Sequence, residues 1–219
     1  MPTEALPSGA QLRLNMVNGQ LRTSDVIDAE VLAAFLAVER EKFVAPAQAR
    51  LAYVDVDIPA TGPSGRRLLA PRTLGLLLQA ATVSPGDRTL DIGGGSGYGA
   101  AILAAMGASV VALETETEAA RAALAGVAGI EIVEGGLAEG APAGAPNHII
   151  VIHGAFQTIP ETLLAQLGKN GRLVAVDARR GGMRGVVLEK AATGYGERSL
   201  FDVKADVLPG LERAASFAF

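Results

Sequence analysis

The chain has 219 residues, 49% of them hydrophobic and 19% charged, with a formal net charge of −4. That composition can bury a core and suits one α/β domain with an extension, which excludes the disordered and fibrous classes. No dense Lys/Arg run, no cysteine and only two histidines, His148 and His153, argue against a nucleic-acid groove, a disulfide framework, a thiolate site or a metal centre. Residues 1–9 lack a basic region followed by an apolar run, and no stretch reaches about 18 uninterrupted apolar residues, so neither signal peptide nor membrane span is expected and the cytoplasm is the expected location. Aromatics are only 4%, so the core must come mainly from Ala, Leu, Val and Ile.

In chain order, residues 1–9 are expected to be loose. Leu12, Leu14, Met16, Val17 and Leu21 suit a helix over Ala10–Leu21, ending near Asn18-Gly19 or just beyond. Ser24 or Asp25 can cap a short turn. Asp28 can cap a helix whose apolar face is Val31, Leu32, Phe35, Leu36 and Val38. Glu39 to Pro46 reads as a charged exit with Phe43 and Val44 turned inward. Alternation from Leu51 to Pro59 predicts an extended segment. Thr61 to Arg72 is a loop punctuated by Gly62, Pro63 and Gly65, carrying Arg66-Arg67, and Pro71 suits the first turn of a helix running to Ala81. Ser84-Pro85-Gly86-Asp87 is a turn signature.

The chain is then organised around Thr89 to Tyr98. A short strand, Thr89 to Ile92, enters a turn with Gly93, Gly95 and Gly97 at alternate positions, followed by an Ala-rich helix from Gly99 to Met106. Glycine there permits positive φ and the approach of a ligand without an intervening Cβ. The helix's first-turn N–H groups favour an anion or carboxylate. Ser109 to Leu113 is a second strand ending in Glu114, 23 residues after Asp91. An acidic residue about 20 residues on is where a ribose hydroxyl pair is gripped in dinucleotide-type sites.

Beyond Glu114 we expect a helix over Glu118–Leu124, a strand over Ile130–Val133, and a loop-like Glu134–Pro146 with room for a short helix. A continuous apolar strand, Ile149–Ile152, is of the kind buried on both faces of a parallel sheet. His153-Gly154-Ala155 follow it directly, which puts His153 at the carboxyl edge of a central strand. A helix over Pro160–Leu167 closed by Gly168, a turn at Asn170-Gly171, a strand over Arg172–Val176 and two antiparallel strands around Gly185–Lys190 and Ser199–Val203 complete the reading. The alternation means an open, Rossmann-like α/β sheet, mostly parallel with an antiparallel C-terminal strand, its ligand outside the strands' carboxyl ends. The helical N-terminal extension with its substrate loop is assigned to 1–80 and the α/β domain to 81–219, packed as one unit.

Phosphate-binding turns usually read G-x-G-x-x-G, whereas the third glycine here comes one residue early. The pattern of strand, Asp91, Gly93, Gly95 and Gly97 resembles motif I of class I S-adenosylmethionine-dependent methyltransferases. From Met16 to about Leu173 the chain resembles the protein-L-isoaspartate O-methyltransferase family. The matching pieces are Met16-Val17 with Gln20-Leu21, Arg40-Glu41-Lys42-Phe43-Val44, Ala52-Tyr53, Gly93-Gly94-Gly95-Ser96-Gly97-Tyr98, Ile159-Pro160, and Gln166-Leu167 before Gly171-Arg172-Leu173-Val174. The resemblance implies S-adenosylmethionine as cofactor and, as substrate, the carboxylate of L-isoaspartyl residues in damaged proteins. It implies that Gly93, Gly95 and Gly97 border the methionine part of the cofactor and that Glu114 accepts from both ribose hydroxyls. Asp91, Gly94, Tyr98 and Gly135 join that cofactor-binding set.

The chain departs from the family where substrate recognition is concentrated. The usual Gly-Gln-Thr-x-Ser-x-Pro loop is here Gly65-Arg66-Arg67-Leu68-Leu69-Ala70-Pro71, so Leu69 replaces a hydroxyl. The usual Gly-Asp-Gly after the third strand is Glu134-Gly135-Gly136, and the Thr-Ala-Ala after the fourth is His153-Gly154-Ala155. Candidate groups at the reacting centre are therefore His153, for a substrate or acid–base role, and Arg66 and Arg67, as a carboxylate clamp or as two solvated arginines. Other readings remain open: a methyltransferase of the same build acting on another small acceptor, a small carboxylate included, a cofactor-binding module without transfer activity, or a nicotinamide-dependent oxidoreductase. A monomer is expected.

Overall fold

Helix caps and apolar faces build an N-terminal helical layer in the computed structural model, which describes residues 7–213; most of the loose start expected for residues 1–9 lies outside them. Ser8 caps α1 (Gly9–Met16) by accepting from the Gln11 N–H at 3.2 Å, and the chain continues helically as a π turn, Val17–Leu21, and a 3-10 turn, Arg22–Ser24. The helix thus runs past Asn18-Gly19. Asp28 caps α2 (Ala29–Ala37), its Oδ1 accepting from Glu30 and Val31 at 2.9 and 3.2 Å, as the sequence suggests. A two-stranded ladder of β1 (Ile58–Pro59) and β2 (Arg67–Leu68) frames the 60–66 loop, and α3 (Pro71–Ala81) begins on its proline. Met16, Leu21, Phe35, Leu74, Leu77 and Leu78 are all at most 1% exposed and share one apolar cluster with the sheet residues Ile149, Val151, Val174 and Val187. Full burial of each Leu or Phe contributes about 1.5–3 kcal/mol, so the helical layer is part of the main core.

The sheet continues with β3 (Arg88–Ile92), α4 (Tyr98–Ala105), β4 (Ser109–Glu114), α5 (Glu118–Ala123), β5 (Ile130–Glu134), β6 (Asn147–Phe156), α6 (Glu161–Ala165), β7 (Leu167–Asp177), β8 (Arg184–Lys190) and β9 (Tyr195–Asp202). Its strand order is β5-β4-β3-β6-β7-β8-β9, parallel from β5 to β7, with β8 antiparallel to both neighbours. The mostly parallel sheet with an antiparallel C-terminal strand is therefore what forms. Strand order reverses between β3 and β6, which puts the ligand crevice at the carboxyl ends of those two strands.

Three sequence expectations are corrected. The 51–59 stretch is not a long strand: a 3-10 turn, Pro46–Leu51, and bends precede the two residues of β1. Its alternating acids are caps instead, Asp57 Oδ1 accepting from Ala70 N–H at 2.7 Å and Asp55 Oδ1 from Arg72 N–H at 3.0 Å, so both serve donors at the start of α3. The helix expected to reach Leu167 closes at Ala165, because Leu167 already pairs with Asn147 in the sheet. Asn170 takes φ 58° within β7, so Asn170-Gly171 is an irregularity inside a strand rather than a turn between elements.

Candidate functional site

Gly93, Gly95 and Gly97 all adopt positive φ, at 72°, 68° and 92°, so the turn after β3 needs glycine for conformational reasons. Its N–H groups are anchored from two sides: Gly93 donates to Leu113 O at 3.0 Å, and Gly95 donates to Glu114 Oε1. Glu114, at the end of β4, thus lies directly against the turn. Burial pushes its pKa up, while the Gly95 N–H and the Arg66 guanidinium oppose that rise. Asp91 and His153 lie beneath the same turn, with His153 Nε2 paired to Asp91 Oδ1 and both side chains under 5% exposed. A Cβ built on Gly94 would lie 2.8 Å from Asp91 Oδ2, and one built on Gly99 would run into the His153 ring.

That pair predicts a pH dependence. Burial draws the His153 pKa down, but the charge and hydrogen bond of Asp91, helped by Glu114 and opposed by Arg40, leave it raised above 6.5. A raised folded-state value adds stability that is fully present below the unfolded value and is lost as pH rises through the folded one. In urea unfolding, wild type should therefore lose its advantage over His153→Gln as pH rises above about 6.5. A difference that grows with pH would contradict the pairing.

The other expected residues separate. Arg66 is buried: its Nε lies 3.4 Å from Glu114 Oε2 and its Nη2 3.4 Å from Thr115 Oγ1. Arg67 turns the opposite way, as neighbours on a strand do, and donates to Asp57 O. The two arginines take different partners but border the same cleft, and Arg66 is buried rather than solvated. The Tyr98 ring points into the core, 1% exposed and packed on Phe35 and Phe43 with the Arg40 guanidinium 4.7 Å from its centroid, while its backbone opens the helix after the glycine turn. Gly135 follows β5 and donates to Glu114 O at 2.9 Å, while Glu134 accepts from Thr117 Oγ1 at 2.9 Å. His148 sits at the other end of β6, half-exposed, beside Asp87.

Sequence reasoning missed three contributors. Arg40 is fully buried, donating from Nε to Ala52 O at 2.7 Å and from Nη2 to Leu69 O at 2.9 Å, and so fixes the backbone at Leu69. Its place in a charged run hid it. The segment 205–208 adds to the end of β6, with Ala155 N–H donating to Asp206 O at 2.8 Å and Leu208 N–H to Ala155 O at 3.0 Å. Leu208 covers Gly93, where a Cβ would lie 2.6 Å from its Cδ1, and Ala60 covers Gly95 at 2.8 Å. Residues 205–208 carry no periodic pattern that announces this. A cleft of about 170 Å³ opens beside the turn, lined among others by Gly65, Arg66, Leu69, His153 and Leu208.

The donor set fits S-adenosylmethionine: a turn whose backbone needs glycine at three positions, and a buried carboxylate at the next strand's end. The chain's own Ala60, Arg66 and Leu208 side chains pack against the glycines of that turn. Among the described residues no group of three or more acidic or histidine side chains could hold a metal, and no helix is long and apolar enough to cross a membrane.

The family described as protein-L-isoaspartate(D-aspartate) O-methyltransferase matches residues 13–195. A protein-L-isoaspartate O-methyltransferase of Methylorubrum extorquens is 42% identical over 176 residues, covering 78% of this chain and 76% of that protein. One of Gloeobacter violaceus is 37% identical over 195 residues, covering 86% and 94%. Among solved structures, a protein-L-isoaspartate O-methyltransferase superposes with a TM-score of 0.79 at 20% identity, covering 94% of this chain and 67% of that one. A second, from Plasmodium falciparum and in complex with S-adenosyl-L-homocysteine, gives 0.74 at 21% identity, covering 92% and 98%. At those identities the structural likeness speaks for the fold, which is Rossmann-like.

Proposed function

The chain belongs to the protein-L-isoaspartate(D-aspartate) O-methyltransferase family, and from that membership we propose that it transfers a methyl group from S-adenosylmethionine to the carboxylate of L-isoaspartyl residues in peptides and proteins. The observation that carries the reading is Glu114 bonded to the Gly95 N–H, an ionisable acceptor fixed at the glycine turn. Two vicinal hydroxyls donating to one carboxylate give charge-assisted bonds, the strong kind. Gly93, Gly94, Gly95, Gly97 and Gly135 border the cofactor in this reading, and Asp91 sets the charge beneath it.

When bound, the cofactor supplies a methyl carbon made electrophilic by its sulfonium. The rest is positioning, because an ionised carboxylate is already a nucleophile and needs no base. His153 is then best read as holding Asp91 and the turn in place, since its Nε2 is engaged there. Both arginines border the cleft, and Arg66, which also lies against Glu114, is the better candidate for meeting a substrate carboxylate next to the cofactor. Arg67 borders a wider surface hollow of about 620 Å³ with Met183, Lys204 and Asp206, where flanking peptide can lie. Residues 1–80 supply the substrate side and 81–219 the cofactor side of one unit, acting as a monomer in the cytoplasm without nucleic acid.

Leu69 tests the acceptor. It is 3% exposed and lines the cleft, so it offers substrate no donor. Replacing it by Ser should raise the rate of isoaspartyl methylation by a few-fold to roughly tenfold, since one added hydrogen bond is worth about 0.5–1.5 kcal/mol. No transfer by either protein, with cofactor still bound, would turn the reading toward another carboxylate.

A further inference from the structure

Arg66 stands where two demands meet. Its guanidinium lies on Glu114, and both side chains are under a tenth exposed. Its Cβ lies 3.1 Å from where a Gly95 Cβ would stand, so Arg66 occupies the approach to the turn itself. The same residue borders the 170 Å³ cleft, whose other cationic groups are committed, Arg67 to Asp57 O and His153 to Asp91, and whose acidic lining, Asp57 and Asp206, leaves a carboxylate there dependent on Arg66. Gly65, just before it, has φ 68° and nothing within 4 Å of a built Cβ, which leaves room for the backbone to turn there. Glu114 already accepts from the Gly95 N–H at Oε1 and from Arg66 and the Thr115 N–H at Oε2, so two ribose hydroxyls exceed the roughly four acceptor positions of a carboxylate unless one donor leaves, and Arg66 is the side chain free to go.

We propose that Arg66 exchanges partners during the reaction cycle: it holds Glu114 in the ligand-free chain, is displaced when the cofactor's hydroxyls take Glu114, and then holds the substrate carboxylate in the cleft. This rests on the cofactor and substrate reading above. It makes the two ligands help each other, because a carboxylate that draws Arg66 into the cleft frees Glu114, and linkage requires the converse. A Gln at this position removes the charge that competes for Glu114 and with it the clamp.

Calorimetric titration of S-adenosylhomocysteine, with and without an isoaspartyl peptide, tests this. Arg66→Gln should bind S-adenosylhomocysteine about tenfold more tightly than wild type when no peptide is present. Peptide should tighten binding to wild type about fivefold or more and leave Arg66→Gln unmoved. The KM for peptide should rise in the variant, opposite in direction to the cofactor effect, which a general loss of structure does not produce. Equal or weaker binding by Arg66→Gln, or the same coupling in both proteins, overturns the exchange while leaving the cofactor reading intact. No binding by either protein overturns both. Should the variant misfold, the coupling in wild type decides alone, and its absence is a refutation.

Discussion

Replacing Glu114 by Ala is expected to weaken S-adenosylhomocysteine binding by about 1.5–3 kcal/mol, the range for hydrogen bonds to a charged group, or roughly 10- to 150-fold. Two physical losses combine. The ribose hydroxyls lose their ionised acceptor, and Gly95 N–H loses the partner that orients the turn. A third effect works on stability, since Arg66 is left buried beside no carboxylate, and removing one member of a buried pair costs up to about 3–5 kcal/mol. The Arg66→Gln, Glu114→Ala double variant should therefore unfold less readily than Glu114→Ala alone. Because Arg66 competes for Glu114 in wild type, the binding loss should be larger when measured in the Arg66→Gln background. Unchanged affinity on loss of Glu114, measured by calorimetry on a folded protein, would place the ligand elsewhere.

Gly95→Val is expected to remove detectable cofactor binding and to destabilise the fold. At φ 68° a β-branched residue is strained, which costs about 1–3 kcal/mol, and its Cβ would lie 2.8 Å from Ala60 Cβ and 3.1 Å from Arg66 Cβ. Crowding a packed site adds typically about 1–3 kcal/mol. Gly86→Ala, outside the site, is the control: its φ of 86° is also positive but its surroundings are open, so it carries strain without a clash and should keep binding. A folded Gly95→Val protein with wild-type affinity would contradict the assignment of this turn.

The parts of the site legible in the chain were those set by local chemistry. Glycines at 93, 95 and 97 require positive φ whatever packs around them, and an apolar run such as Ile149–Ile152 has few places to go but the middle of a parallel sheet. Glu114 was legible through its spacing from Asp91. What escaped depends on partners far along the chain. Arg66 and Glu114 are 48 residues apart, Arg40 reaches Leu69 across 29, and Leu208 reaches the turn only because residues 205–208 add to β6. The alternation at 51–59 misled because Asp55 and Asp57 serve helix α3 instead of one face of a sheet. The burial of the Tyr98 ring was equally hidden, since a residue next to a glycine turn can direct its ring into the core.

The central claim is methyl transfer from S-adenosylmethionine to an isoaspartyl carboxylate, and incubation with methyl-tritiated cofactor measures it most directly. One peptide carries L-isoaspartate and its partner carries ordinary aspartate at the same position. The account predicts base-labile label on the isoaspartyl peptide alone, released as methanol on mild alkaline treatment, and less of it with Arg66→Gln. Cofactor bound by the protein with no label on the isoaspartyl peptide, or equal label on both peptides, would contradict it.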